Sequence, residues 1–117
     1  MEPEAPDLLQ RVLSANKYIA AVHGQFRFSQ WQFLLTVKEN PCRTPSEIGE
    51  LIGCDLATVS VQLAVFGTDK RRPRYQGFDW VDVIPNPIDA REKLLRITDK
   101  GEAFLEGIRA RLNGEVS

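Results

Sequence analysis

Four cations, Lys70, Arg71, Arg72 and Arg74, fall within five positions, and Arg91 stands two residues after Asp89. Clustered ammonium and guanidinium groups bind phosphate, because local field rather than total charge governs contact with a polyanion. Each such contact displaces a counterion, so binding becomes sensitive to salt. Other chemistry lacks its residues. His23 is the sole histidine, and with two cysteines it makes no zinc set. At a predicted helix end it reads as a cap. No nucleophile and base are paired and no phosphate loop is present, so no catalytic residue, metal or cofactor is expected, and no enzyme. Cys42 and Cys54 flank a predicted helix that would hold them ~13 Å apart at about 1.5 Å per residue. A disulfide needs roughly 7 Å or less, which predicts free thiols. Cys54 reads as a small core residue.

The chain that positions these groups has 117 residues, 43% hydrophobic and 26% charged. That suits one globular domain spanning 1–117, too short for two cores. No apolar run approaches the roughly 18 residues of a membrane span. The acidic start, Met-Glu-Pro-Glu-Ala-Pro-Asp, lacks the basic and apolar regions of a signal peptide. A cytoplasmic location and no membrane partner are expected. The net charge of −1 argues mildly against nucleic acid. Its distribution offsets that objection: Glu2, Glu4 and Asp7 hold acid at one end, well away from the basic run.

Residues Gly77 to Gly101 read as a β-hairpin with a long tip. Two strand-like runs, Phe78–Ile84 and Glu92–Ile97, are joined by Pro85-Asn86-Pro87-Ile88-Asp89-Ala90-Arg91, whose prolines stop the pairing. A rigid tip of this kind can lay Arg91 against a DNA backbone or into a minor groove. Thr98 then caps a final helix to about Leu112, with Phe104, Leu105, Ile108 and Leu112 on one stripe. Upstream, Pro6 to about His23 carries Leu8, Leu9, Val12, Leu13 and Ile19 at helical spacing. Ser29-Gln30-Trp31-Gln32 is a capping box for a second helix turning Trp31, Leu34, Leu35 and Val37 inward. Thr44-Pro45-Ser46-Glu47 is another, with proline at the first helical position, opening a short helix that buries Ile48, Leu51 and Ile52. Asp55 caps a fourth helix with Val59, Leu63 and Phe66 inward. The predicted order is α-α-α-α-β-β-α, with a minor strand near Pro41–Arg43.

Gly53-Cys54-Asp55 separates the third and fourth helices by the short glycine turn of a helix-turn-helix, in which the first helix braces the second against the major groove. Joined to the hairpin and the last helix, this order resembles the winged helix-turn-helix regulators of the MarR family. Thr44 to Ile52 looks like the brace helix and Asp55-Leu56-Ala57-Thr58-Val59-Ser60 like the start of the recognition helix. Gly77 to Val81 is similar to the family's lead into the wing. Asp89-Ala90-Arg91, with Thr98 nine residues after the aspartate and then Lys100-Gly101, matches the wing signature in spacing. The resemblance covers about residues 29 to 105. Relative to the family pattern, Lys70–Gln76 is an insertion, and Ala90 stands where a second arginine is frequent.

The expected fold is therefore mainly α with a small β-hairpin, a winged helix-turn-helix with N- and C-terminal helices. The divisions are 1–28 (a helix available for dimerisation), 29–97 (the core and wing) and 98–117 (the C-terminal helix). The inward stripe of the fourth helix leaves Leu56, Ala57, Ser60, Val61 and Gln62 for the exposed face. Ser60 and Gln62 suit base edges or phosphate, and the apolar members suit thymine methyls. The resemblance adds Thr58 at the start of the recognition helix and Asn86 and Arg91 at the wing, with Asp89 holding the arginine. Lys70, Arg71, Arg72 and Arg74 suit phosphate. These imply a homodimeric, sequence-specific regulator of double-stranded DNA, a repressor, with no effector implied by the residues. The alternative is a winged-helix protein-interaction module using the apolar face of the fourth helix and the acidic N-terminus.

Overall fold

Short polar side chains decide where most of the helices begin. In the computed structural model, which describes residues 7–115, Asp7 Oδ1 accepts the Gln10 amide at 2.8 Å. Thr44 Oγ1 accepts that of Glu47 at 3.1 Å, and Asp55 Oδ1 that of Thr58 at 2.8 Å. Each satisfies a donor that a helix start leaves unpaired. The elements are α1 (Leu8–Val22), α2 (Phe28–Glu39), α3 (Pro45–Ile52), α4 (Leu56–Phe66), β1 (Val81–Pro85), β2 (Lys93–Ile97) and α5 (Asp99–Leu112). The first helix starts at Leu8 with Asp7 as its cap; Glu2, Glu4 and Pro6 lie outside the described residues. The second starts at Phe28, before the Ser29 box. Gln30 reaches back instead to the Arg27 amide, at 2.8 Å.

The described residues form two compact units. Arg27–Glu102 is one, holding α2 to α4 and the hairpin. Its core is Phe33, Leu34 and Val37 of α2, Ile48 of α3, Val59, Leu63, Val65 and Phe66 of α4, with Trp80, Val81 and Leu95. Leu51, expected inside, is 57% exposed. A Cβ on Gly49 would stand 3.0 Å from Cys54 O and 3.4 Å from Val59 Cγ2, so α3 meets α4 along Ile48 and Gly49, and Leu51 falls off that face.

The hairpin is antiparallel, Val81 opposite Ile97 through Pro85 opposite Lys93. Its first strand starts three residues later than the apolar run suggests. Gly77 and Asp79 have positive φ, and the Trp80 amide donates to Phe66 O at 2.9 Å rather than across the hairpin. Pro85 occupies the last rung, where a missing N–H is tolerated. The minor strand is a single bridge: Leu95 N–H donates to Arg43 O at 2.8 Å and Cys42 N–H to Leu95 O at 3.0 Å. Leu95 is fully buried at that junction. Its truncation to alanine is expected to cost about 2–5 kcal/mol.

The second unit pairs α1 with α5 from Ala103 onward. Tyr18 stacks on Phe104 at 5.7 Å, Arg111 lies over the Tyr18 ring at 4.0 Å, and Arg11 Nη1 donates to Leu112 O at 3.1 Å. Phe104 and Ile108 are buried, whereas Leu8, Leu9, Val12 and Leu13 are exposed. The two apolar stripes therefore differ: that of α5 closes largely within its own chain, and that of α1 stays exposed.

Candidate nucleic-acid interface

Gly53, at φ +86°, ends α3 in the left-handed conformation that glycine takes without strain. The chain turns through 109° there before α4 begins, within the 90–120° of a helix-turn-helix. Asp55 fixes the start of α4 doubly, accepting from both the amide and the hydroxyl of Thr58 at 2.8 and 2.7 Å. Those bonds hold its carboxyl below the usual carboxylate range. Val59, Leu63, Val65 and Phe66 anchor the helix. Leu56, Ala57, Thr58, Ser60 and Val61 stand exposed, Leu56 and Val61 at 56% and 42%. Gln62 is half-buried, in a groove with Ser29, Gln32 and Phe33 of α2 and the turn residues Gly53 and Cys54. The Thr58 hydroxyl has donated its proton to the cap.

The basic residues fall into two kinds. Asp69 takes Arg71, whose Nε donates to Oδ1 at 3.0 Å, and lies 3.9 Å from Arg72 Nε. Hydrogen bonding by Arg71 lowers the Asp69 pKa. Lys70 and Arg74 are exposed and have no ion-pair partner among the described residues. Arg72 and Arg74, with Pro73, line a shallow depression against Ala57, Ser60, Val61 and Ala64 of α4. Arg71 and Arg72 also line a second groove, with Leu63 and Gly67 on one side and Val83 and Lys93 of the hairpin on the other.

At the hairpin tip, Arg91 Nε and Nη2 donate to the two oxygens of Asp89 at 3.1 and 3.2 Å. This two-pronged pair lowers the Asp89 pKa and aims the guanidinium, whose side chain is 91% exposed. Asn86 uses its amide within the tip: Oδ1 accepts Ile88 N–H at 2.9 Å and Nδ2 donates to Glu92 at 3.0 Å. Ala57, Ser60, Val61, Arg72 and Arg74 are thus brought together. Asn86 and Arg91 form a separate site, and Thr58 and Gln62 border the turn. Lys93 and Ile88 escaped the sequence reading. Two-residue alternation sets Lys93 on the face of Leu95 and was the available signal; nothing local marks Ile88, 96% exposed at the tip.

Solved structures share this fold. The transcriptional regulator Tm0710 from Thermotoga maritima matches at a TM-score of 0.67 and 21% identity, covering 92% of this chain and 68% of its own. The transcriptional repressor CouR, bound to a 23-mer DNA duplex, matches at 0.65 and 24%, covering 90% and 66%. A MarR variant from E. coli complexed with operator DNA matches at 0.59 and 21%, covering 93% and 76%. The chain has the MarR fold. In that fold α3 and α4 are the helix-turn-helix pair and β1–β2 the wing hairpin. The chain spans about two-thirds of the length of Tm0710 and CouR. No family model matches the sequence, and no curated protein matches it. Among the described residues no group of His, Cys, Asp and Glu could hold a metal, and no single helix is long and apolar enough to cross a membrane.

Proposed function

We propose that this chain is a MarR-family regulator that binds double-stranded DNA sequence-specifically, as a cytoplasmic, non-enzymatic dimeric repressor. The observation that carries this reading is the pairing of Ala57, Ser60 and Val61 of α4 with Arg72 and Arg74 beside them. A helix set at 109° to its predecessor and flanked by guanidinium groups suits a major groove bordered by phosphates. Arg91, held out by Asp89, suits the backbone or minor groove one step away. CouR and MarR, solved on DNA, support the choice of partner.

Dimerisation is supported by Leu8, Leu9, Val12 and Leu13, exposed together on α1. A patch of this kind marks an interface more often than a free surface. A two-fold pairing through it would suit half-sites about 34–36 Å apart. Leu9→Glu with Leu13→Glu should then give a monomer by light scattering that binds DNA much more weakly. Ile108, being buried within its own chain, is unsuited to that test.

The competing reading, a protein-interaction module, draws on exposed Leu51, Leu56 and Val61. Retention on heparin at low salt, followed by a gel shift on DNA flanking the protein's own gene, separates the two. Binding to neither would favour the interaction module.

A further inference from the structure

The insertion between α4 and the wing is a closed loop rather than a slack connection. Its ends meet where Trp80 N–H donates to Phe66 O at 2.9 Å and Gly67 bridges Val81. Phe66, Phe78 and Trp80 pack against one another at that closure, their ring centroids 5.7, 5.5 and 4.6 Å apart. Inside the loop, Arg72 N–H donates to Asp69 O at 3.2 Å and Tyr75 N–H to Arg72 O at 3.1 Å. The Tyr75 hydroxyl donates to Asp79 Oδ1 at 2.9 Å. Pro73 fixes its own φ at the corner. So held, Arg72, Pro73 and Arg74 form one wall of the depression whose other wall is Ala57, Ser60, Val61 and Ala64.

The two walls differ in chemistry. From Leu56 to Phe66 there is no charged residue. The exposed α4 wall offers methyl groups and one hydroxyl, which suit the thymine methyl and leave guanine unread. Guanine O6 and N7 are read most often by the fork of an arginine. Arg71 and Arg72 are drawn to Asp69, but Arg74 has no ion pair among the described residues and borders the α4 wall. We infer that the base-reading surface is composite: Ala57 and Val61 read thymine methyls, and Arg74, carried by the inserted loop, is the specificity-determining residue for an adjacent guanine. This rests on the DNA-binding reading above.

Selection of bound duplexes from a random double-stranded pool, with the full wild-type chain, Arg74→Ala and Arg74→Lys, tests it. The wild type should enrich half-sites in which thymine adjoins guanine. Arg74→Ala should keep the thymines and lose roughly tenfold of the guanine preference. Arg74→Lys should lose that preference as well, since a point charge lacks the fork, while keeping the salt dependence of wild type. Deoxyuridine in place of a selected thymine, which removes the methyl alone, should weaken binding about fourfold. If Arg74→Ala enriches the wild-type motif and only weakens every duplex alike, Arg74 meets phosphate and the inference fails. It fails equally if deoxyuridine duplexes bind as the thymine ones do. A wild type that enriches no duplex would overturn the DNA-binding reading too.

Discussion

Two neighbouring surfaces, one on either side of Gly67, are built on opposite plans. The exposed face of α4 has shape and no charge; the loop after it has Lys70, Arg71, Arg72 and Arg74 in a span of five residues. The helix is fixed by a carboxylate cap, a left-handed glycine and a buried stripe, so its small side chains keep defined positions. The loop is fixed by closure of its ends and by Asp69, and what it presents is field, except at Arg74, which borders the exposed face of α4. Position discriminates between bases, whereas charge attracts any nucleic acid. The wing tip repeats the second plan on a smaller scale, with one arginine steadied by one aspartate.

The most damaging change should be a negative charge on the neutral surface. Ser60→Glu sets a carboxylate on the exposed face of α4 and should weaken binding about a hundredfold or more through repulsion from DNA. A gel shift reads the loss, and unchanged circular dichroism shows that the fold survives. Next comes removal of the field. Arg71, Arg72 and Arg74 replaced together by glutamine should weaken binding at low salt about tenfold to a hundredfold and reduce the salt slope by about two, for the phosphate contacts of Arg71 and Arg72. Unfolding of that variant would mean that the loop arginines are structural.

A smaller effect is expected at the tip. Arg91→Ala should lower affinity several-fold on every duplex alike and the salt slope by about one. Wild-type affinity and slope would remove the wing from the interface. The smallest concerns the cap. Asp55→Ala should fray the start of α4 and reduce the preference for a selected duplex over a shuffled one without changing the salt slope. Asp55→Asn, which still caps, should restore it. Because the folded Asp55 pKa lies below its ordinary value of about 3.8, the contribution is complete above that value and is lost as pH falls through the lowered one. Acid unfolding of wild type and Asp55→Ala should accordingly converge at low pH.

The starts of α3 and α4 were legible because caps are local chemistry: Thr44 with Glu47 and Asp55 ahead of α4 act over three residues, whereas the box at Ser29 misplaces the cap of α2, which Gln30 closes on Arg27. The order of elements followed from apolar spacing and turn residues. What else the sequence misplaced was set at a distance. The strand run from Phe78 looked continuous, but Phe66 claims the Trp80 amide. Leu51 shares a helical stripe with Ile48, yet the close approach at Gly49 turns it outward. At the candidate site, the basic cluster and Arg91 were evident by type. Which arginine pairs with Asp69, which borders α4, and that Lys93 joins them depend on how the loop closes, which no local pattern encodes.

The division between position and field is tested most directly by fluorescence anisotropy of the full chain on a selected duplex and on a shuffled duplex of the same composition, from low to physiological salt. Binding to both should weaken along nearly parallel lines as salt rises, with the selected duplex tighter throughout, because the same phosphate-binding cations serve both and α4 with Arg74 distinguishes them. Equal affinity for the two duplexes would contradict a reading helix, and no binding to either at low salt would contradict a nucleic-acid interface altogether.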